Sequence, residues 1–323
     1  MARRPDTSGL EGVLVVAKPA GPTSHDVVAL ARRLTGTRRI GHGGTLDPFA
    51  AGVLPLFLGG ATRLVEYHLG DRKAYRATVC FGASSTTDDL DGELTPVPEP
   101  ILESTAVGAA LEAFRGDIRQ RPPSYSAIQV GGRRAYALAR EGVPPDLPER
   151  AVTIHTLDLV AWNADDPSRP IAIVDVVCSA GTYIRALARD LGMAMASGAY
   201  LGALIRTASG PFRLEDAVSL DALRVAGAEG PGAIAALLLP VDAGLEHLPR
   251  LRLAPSEIAD AAMGRFIRPA AGVGGLPAGD PIRLLDETDR LVGIGLLDGS
   301  RIAPTKMLTG VSTRDASPGA IDD

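Results

Sequence analysis

Aromatic side chains are scarce in this sequence. They make up 4% of the 323 residues, with a single tryptophan among them, so any core has to be assembled from Leu, Val, Ile and Ala. Hydrophobic residues at 46% supply that core, and the length suits one large domain with a smaller one, or two of similar size. Cysteine is nearly absent. Cys80 and Cys178 lie in separate apolar runs, a spacing that offers neither a disulfide framework nor a metal-binding pair and that suits a reducing compartment. Long apolar runs are missing as well: the most apolar stretch, 233–239, is far too short to span a bilayer. The polar start, Met1 to Leu10, lacks the apolar stretch of a signal peptide. Together these absences lead to the expectation of a soluble, cytoplasmic protein.

A basic excess is also lacking, the formal net charge being -5, which argues mildly against a polyanion as ligand. Binding responds to local charge, however. Arg32, Arg33, Arg38 and Arg39 gather in one segment and Arg133 and Arg134 in another, whereas Asp88, Asp89 and Asp91 share one turn and Asp322 and Asp323 end the chain. Those acids are expected to lie where they need not face a ligand.

What is present reads as a mixture of strands and helices. Val13 to Val16 is a short apolar strand that ends in the turn-rich Lys18-Pro19-Ala20-Gly21-Pro22. Ser24 offers an N-cap to a helix carrying Asp26 in its first turn, with Val27, Leu30, Ala31 and Leu34 at helical spacing. Residues 39–49 form a Gly-rich loop. Tyr75 to Phe81 alternates as a strand, with Tyr75, Ala77, Val79 and Phe81 on one face. Ser104 to Arg115 reads as a helix stopped by Gly116, Ile171 to Cys178 as a central strand, and Tyr183 to Leu191 as a helix. No regular βαβ repeat is visible, which predicts an α+β fold. The Ala-, Gly- and Leu-rich stretch 222–248 predicts a helix or two and then a boundary. Beyond it, 282–286, 291–296 and 301–307 read as short strands. The organisation expected is a disordered tail at 1–10, a main domain at 11–248, a small β-rich module at 249–311 and a second tail at 312–323.

Four segments carry side chains suited to chemistry. Gly41-His42-Gly43-Gly44-Thr45-Leu46-Asp47-Pro48 presents a carboxylate from a loop whose glycines let another backbone approach and whose proline biases Asp47 towards an extended conformation. Lys73-Ala74-Tyr75 places a tyrosine at a strand start, where it can stack or exchange a proton. Cys178-Ser179-Ala180-Gly181-Thr182-Tyr183-Ile184-Arg185 turns from a strand into a helix bearing an arginine that could pair with a carboxylate. Gln120-Arg121-Pro122-Pro123-Ser124-Tyr125-Ser126-Ala127, followed by Arg133, Arg134 and Tyr136, is stiff and cationic. Taken singly, each also fits a plain structural role: a turn aspartate, a half-buried strand tyrosine, a surface arginine, a packed loop.

In this order, the Gly-His-x-Gly-Thr-Leu-Asp-Pro, Lys-x-Tyr, Pro-Pro-x-Tyr-Ser-Ala and Gly-Thr-Tyr-Ile-Arg segments, closed by Gly198-Ala199-Tyr200-Leu201, resemble the TruB family of pseudouridine synthases. The resemblance runs from about residue 12 to residue 212 and resumes in the C-terminal module. It implies a pseudouridine synthase fold, with a mixed, mainly antiparallel sheet flanked by helices and a small β-barrel PUA-like domain. It also implies isomerisation of the uridine at position 55 in the tRNA T-loop, by an enzyme needing no cofactor, metal, membrane or protein partner and acting as a monomer. By the same resemblance, Asp47 is the essential carboxylate, attacking the ribose C1′ or deprotonating C2′. Arg185 holds Asp47, and Tyr75 stacks on the uracil and helps remove its C5 proton. Tyr183 and Leu204 line the pocket, His42 enters the RNA loop, and Gly44 and Thr45 touch the substrate. Gly43 stands where the family often has Thr or Ala, and Gln129 and Ala180 stand where lysines are common, so two phosphate contacts are missing. Two other readings are an RNA-binding protein that kept only the scaffold and a glycoside hydrolase working with paired carboxylates. No second carboxylate stands out beside the Asp47 loop.

Overall fold

The computed structural model describes residues 9–97, 102–126, 128–143, 145–270 and 272–308. Most of the two expected tails, and residues 309–311 of the C-terminal module, lie outside these. Leu10, expected in the first tail, is instead buried against Ala226 and Ile234.

The chain builds an α+β structure around one mixed sheet. Along the sheet run the strands Val218–Ser219, Gly12–Lys18, Ala51–Leu58, Ala199–Ser209, Lys73–Phe81, Ile171–Cys178, Arg150–Asn163 and Gly116–Gln120, with short strands Ile40–His42 and Phe212–Arg213 attached at its margin. Two neighbouring pairs are parallel and the others antiparallel. Ile171–Cys178 is internal, as its apolar run predicts, and lies between Lys73–Phe81 and Arg150–Asn163. In Lys73–Phe81, Ala77, Val79 and Phe81 point into the core. Helix Ile184–Ala194 covers that face with Ile184, Leu187, Ala188 and Leu191. Each such Leu or Val buried stabilises the fold by roughly 1.5–3 kcal/mol.

Helix Ser24–Thr35 begins one residue earlier than expected. Thr23 is the N-cap: its hydroxyl accepts from the Asp26 N–H at 3.0 Å, and the Asp26 carboxylate accepts from the Thr23 N–H at 2.9 Å. Thr23 wins over Ser24 because only Thr23 stands three residues before the acid, which closes the capping box. Ser24 is thereby released for the loop that follows. Its hydroxyl accepts from the Leu46 N–H at 2.9 Å and donates to the Leu46 carbonyl at 3.1 Å. The 39–49 loop is also less irregular than expected, since Ile40–His42 pairs antiparallel with Ala51–Leu58. The helix expected at 104–115 ends at Glu112.

A second sheet is built from Arg250–Arg252, Pro281–Leu285, Leu291–Asp298 and Arg301–Met307, in that order, with helix Pro255–Ala262 packed on it through Ile258 and Ala261. Its two outer strands do not pair with each other among the described residues, so the sheet is open and the expected closed barrel is not seen. Leu285, Leu291 and Ile294 rest on Leu64 and Leu245, and Lys306 pairs with Glu66 at 3.0 Å.

The tightest approach in the main sheet is at Gly52. Its φ is +115°, and a Cβ there would lie 2.2 Å from the Arg206 carbonyl oxygen. Gly52→Ala is expected to cost more than about 3 kcal/mol, since a left-handed conformation and a backbone clash add. Thermal unfolding followed by circular dichroism measures it, and a midpoint within a degree of the parent would contradict this packing.

Candidate active site

Residues 43–50 form a loop without regular structure, so their carbonyls need partners from elsewhere. Three buried side chains provide them. Lys18 donates from Nζ to the carbonyls of Ala50 at 2.6 Å, Pro19 at 2.9 Å and Pro48 at 3.2 Å. Ser24 holds Leu46. Arg206 donates from Nε to Val53 at 2.8 Å, from Nη2 to Gly44 at 3.1 Å and from Nη1 to Thr45 at 3.4 Å. Gly44 has a φ of +128°, a backbone that suits glycine. The loop is thus bolted from below, and Asp47 stands at its top with its side chain 37% exposed.

Arg185 reaches Asp47 from the first turn of helix Ile184–Ala194. Its side chain is 6% exposed, and Nε lies 3.0 Å from Asp47 Oδ2. The N–H is not aligned as a hydrogen bond, so the contact is an ion pair along one edge of the guanidinium. The remaining nitrogens are used elsewhere. Nη1 donates to the Thr87 carbonyl at 3.1 Å and lies 3.3 Å from Asp89 Oδ2, and Nη2 donates to the Tyr125 carbonyl at 2.9 Å. Arg185 therefore serves two carboxylates.

The second of these, Asp89, corrects the expectation that the acidic turn lies apart and that no second carboxylate stands near. Asp89 is 4% exposed. It accepts from the Asp91 N–H at 3.0 Å and from the Thr87 hydroxyl. Burial pushes its pKa up from the ordinary carboxylate value, against the pull of Thr87 and Arg185. Its neighbour Asp88 also turns inward, to Arg189 at 2.9 Å. Spacing on the sequence gave no signal for this, because an acidic turn reads as solvated unless the cations facing it are known.

Tyr75 sits beside Arg206 in the strand ladder and packs against the core cluster that includes Leu46, Ala50 and the buried Leu204. Burial of the Tyr75 hydroxyl raises its pKa, while the Arg206 guanidinium opposes the rise as a charge and as a donor. Asp47 also acts electrostatically on this hydroxyl, so Asp47, Tyr75 and Arg185 occupy one region although they come from distant parts of the chain. Burial lowers Lys18 to about 8, with Asp47 opposing. Lys73 is likewise lowered to about 8 by burial. Lys73 stood in the Lys73-Ala74-Tyr75 segment, whereas neither Lys18 nor Arg206 stood out as a site residue in the sequence.

The other expected contacts are placed as follows. His42 ends the Ile40–His42 strand, half-buried, with its Nδ1 accepting from the Gly44 N–H at 3.3 Å and its ring edge-to-face with His25 at 6.0 Å. Burial lowers its pKa, so the imidazole is neutral at neutral pH. Tyr183 caps the helix that carries Arg185. Its N–H donates to the Gln120 side chain at 2.8 Å, its carbonyl accepts from the same amide at 3.0 Å, and its ring lies under the Arg150 guanidinium at 4.5 Å. Thr45 contributes its carbonyl to Arg206. Arg133 is paired with Glu141, and Arg32 donates to the carbonyls of Arg38 and Ile40, so both are partly spent within the protein. Among the described residues no group of three His, Cys, Asp or Glu side chains is spaced to hold a metal ion.

Comparison with known proteins gives this site a context. The description of the TruB family pseudouridylate synthase N-terminal domain matches residues 32–184, and that of the tRNA pseudouridylate synthase B C-terminal domain matches residues 185–246. A tRNA pseudouridine synthase B from Synechococcus sp. (strain WH7803) is 47% identical over 90% of this chain and 94% of its own. One from Geobacillus kaustophilus (strain HTA426) is 43% identical over 76% of this chain and 86% of its own. Among solved structures, an H/ACA RNP bound to a substrate RNA containing 2′-deoxyuridine aligns with a TM-score of 0.69 at 25% identity, covering 93% of this chain and 85% of that chain. An archaeal box H/ACA sRNP Nop10-Cbf5 complex aligns with a TM-score of 0.68 at 26% identity, covering 95% and 88%.

The bolted loop generates a test of its own. Arg206→Met strands the carbonyls of Gly44, Thr45 and Val53 in a buried place, and is expected to destabilise the fold by about 3 kcal/mol or more. Urea unfolding measures this, and a loss below about 1 kcal/mol would show that other groups hold the loop.

Proposed function

The chain belongs to the TruB family of pseudouridylate synthases, and on that premise we propose that it converts the uridine at position 55 in the T-loop of tRNA to pseudouridine, with Asp47 as the reacting carboxylate. The observation that carries this reading is the half-open Asp47 carboxylate, held by a buried guanidinium on a loop fastened by buried Lys18 and Arg206. A carboxylate so placed is aimed at a substrate, whereas a turn aspartate would face water.

The chemistry rearranges one molecule and needs no oxidant, reductant or energy source. A uridine inside a folded loop is first turned out of its stack, at a cost of roughly a few kcal/mol. Asp47 then either attacks C1′, forming an ester as the C1′–N1 bond breaks, or takes a proton from C2′ to leave a glycal. The freed uracil rotates and C5 bonds to C1′, displacing the Asp47 ester oxygen or, on the glycal route, with Asp47 returning the proton to C2′; C5 then loses its proton and N1, which carries none in uridine, gains one. Arg185 stabilises the carboxylate before attack and again when it departs. The Tyr75 ring stacks on the uracil, and its oxygen, once ionised to the phenolate, takes the C5 proton. Arg206 makes that easier by opposing the rise in the hydroxyl's pKa. Tyr183 and Leu204 wall the pocket, Gly44 and Thr45 present backbone to the nucleotide, and neutral His42 fills the space the base leaves.

Residues 11–248 are the catalytic part in this reading, and 249–311 form a PUA-like module on the acceptor end of the tRNA. The solved H/ACA relative carries a substrate RNA, which supports RNA as the ligand of this cleft. Asp89 does not revive the glycosidase alternative: it is buried behind Arg185 and offers no second acid to a sugar.

Two substitutions test the assignment. Asp47→Ala is expected to abolish pseudouridine formation in a T-loop minihelix, read by nucleoside analysis, while RNA binding persists; turnover by this variant would refute the role. Asp89→Asn removes one anion from Arg185 and lets the guanidinium shift. The single-turnover rate is expected to fall about 10²-fold with RNA affinity little changed, a misplacement effect. An unaltered rate would mean that Asp47 alone orients Arg185.

A further inference from the structure

Arg150 is a cation whose guanidinium makes no hydrogen bond among the described residues. It opens the Arg150–Asn163 strand, where its backbone pairs with Gln120. Its guanidinium lies over the Tyr183 ring at 4.5 Å and against Gly181, where a Cβ would be 3.8 Å from Cζ. Its Nε is buried without a hydrogen-bond partner, and no ion pair to Arg150 is found among the described residues. Other arginines nearby are spent on acids: Arg119 on Glu149, Arg121 on Asp146, Arg189 on Asp88 and Asp190, and Arg76 on Asp175.

An arginine held over an aromatic ring has already lost much of its side-chain freedom, so binding an anion costs little further entropy. The position is also fixed. The Gln120 amide clasps both the N–H and the carbonyl of Tyr183, while the Gln120 backbone pairs with Arg150. The turn 179–182 beneath carries Ala180 and no cation of its own. Tyr183 directly precedes the helix that delivers Arg185 to Asp47, so this platform stands two residues along the chain from the arginine that holds the carboxylate.

We propose that Arg150 binds a backbone phosphate of the RNA beside the nucleotide seated at Asp47, with the Tyr183 ring as the platform that holds its guanidinium. The proposal rests on the reading of the cleft as an RNA site. It adds a named phosphate contact that anchors the strand while the base is turned out.

The test compares the full-length protein with its Arg150→Gln, Arg150→Lys and Arg119→Gln variants. Affinity for a T-loop minihelix is measured from about 50 to 300 mM salt, with single-turnover rates at saturating protein and thermal midpoints as a folding check. Arg150→Gln is expected to raise Kd about tenfold, the loss of one charge-assisted contact. It should also lower the slope of log Kd against log salt by about 0.7 to 1, while the saturated rate stays within about twofold. Arg150→Lys keeps the charge without the guanidinium, so it should keep the slope and lose part of the affinity. If Arg150→Gln fails to fold, a full loss of affinity and slope in folded Arg150→Lys, or none at all, overturns the proposal. So does unchanged affinity and slope in Arg150→Gln, an equal loss in Arg119→Gln, or a fall in saturated rate alone. A parent protein that binds the RNA without isomerising it would defeat the proposed reaction, while the salt comparison would still decide the role of Arg150.

Discussion

The site depends on one buried guanidinium placed between two carboxylates. Arg185 is almost withdrawn from water, and an unpaired charge there would cost several kcal/mol. Asp47 and Asp89 neutralise it, and the Thr87 and Tyr125 carbonyls take up its remaining N–H groups. One cation therefore ties together the 43–50 loop, the 86–91 turn, the segment after Pro122-Pro123 and helix Ile184–Ala194. Of the two acids, Asp89 is sealed in and Asp47 is left half open. That asymmetry fits the proposal, in which Asp47 is the carboxylate that meets the ligand.

The same logic runs under the loop. Lys18 and Arg206 spend buried charge on backbone carbonyls that no strand or helix would satisfy, and Lys73 lies in the same buried cationic neighbourhood. The net charge of -5 is thus a poor guide to the site. Acids dominate the total, yet Lys18, Lys73, Arg185 and Arg206 all lie buried near the Asp47 loop. The field at such a site is set by the nearby charges of both signs, Asp47 and Asp89 included, and not by the total.

Much of the architecture was legible from local pattern. Alternation marked the Lys73–Phe81 strand, continuous hydrophobicity marked Ile171–Cys178 as internal, and apolar spacing marked the helices beginning at Ser24 and Ile184. Errors fell where two residues could perform the same local task or where pairing was long-range. Thr23 displaced Ser24 as cap because of Asp26, Ile40–His42 became a strand because Ala51–Leu58 lay beside it, and Leu10 packed because Ala226 and Ile234 came to it. The C-terminal strands were visible, but the openness of their sheet was not, since it depends on which edges meet.

The sequence by itself determined which side chains could do chemistry, because Asp47, Tyr75 and Arg185 stand in short segments whose glycines, prolines and order along the chain are distinctive. Only the tertiary structure decided how they are used. It showed that Arg185 divides itself between two acids, that Asp89 belongs to the site, and that Arg206, Lys18 and Ser24 fasten the loop. Those roles rest on partners tens to more than a hundred residues apart. Local periodicity records which face of an element is buried, but not which distant charge that face will meet.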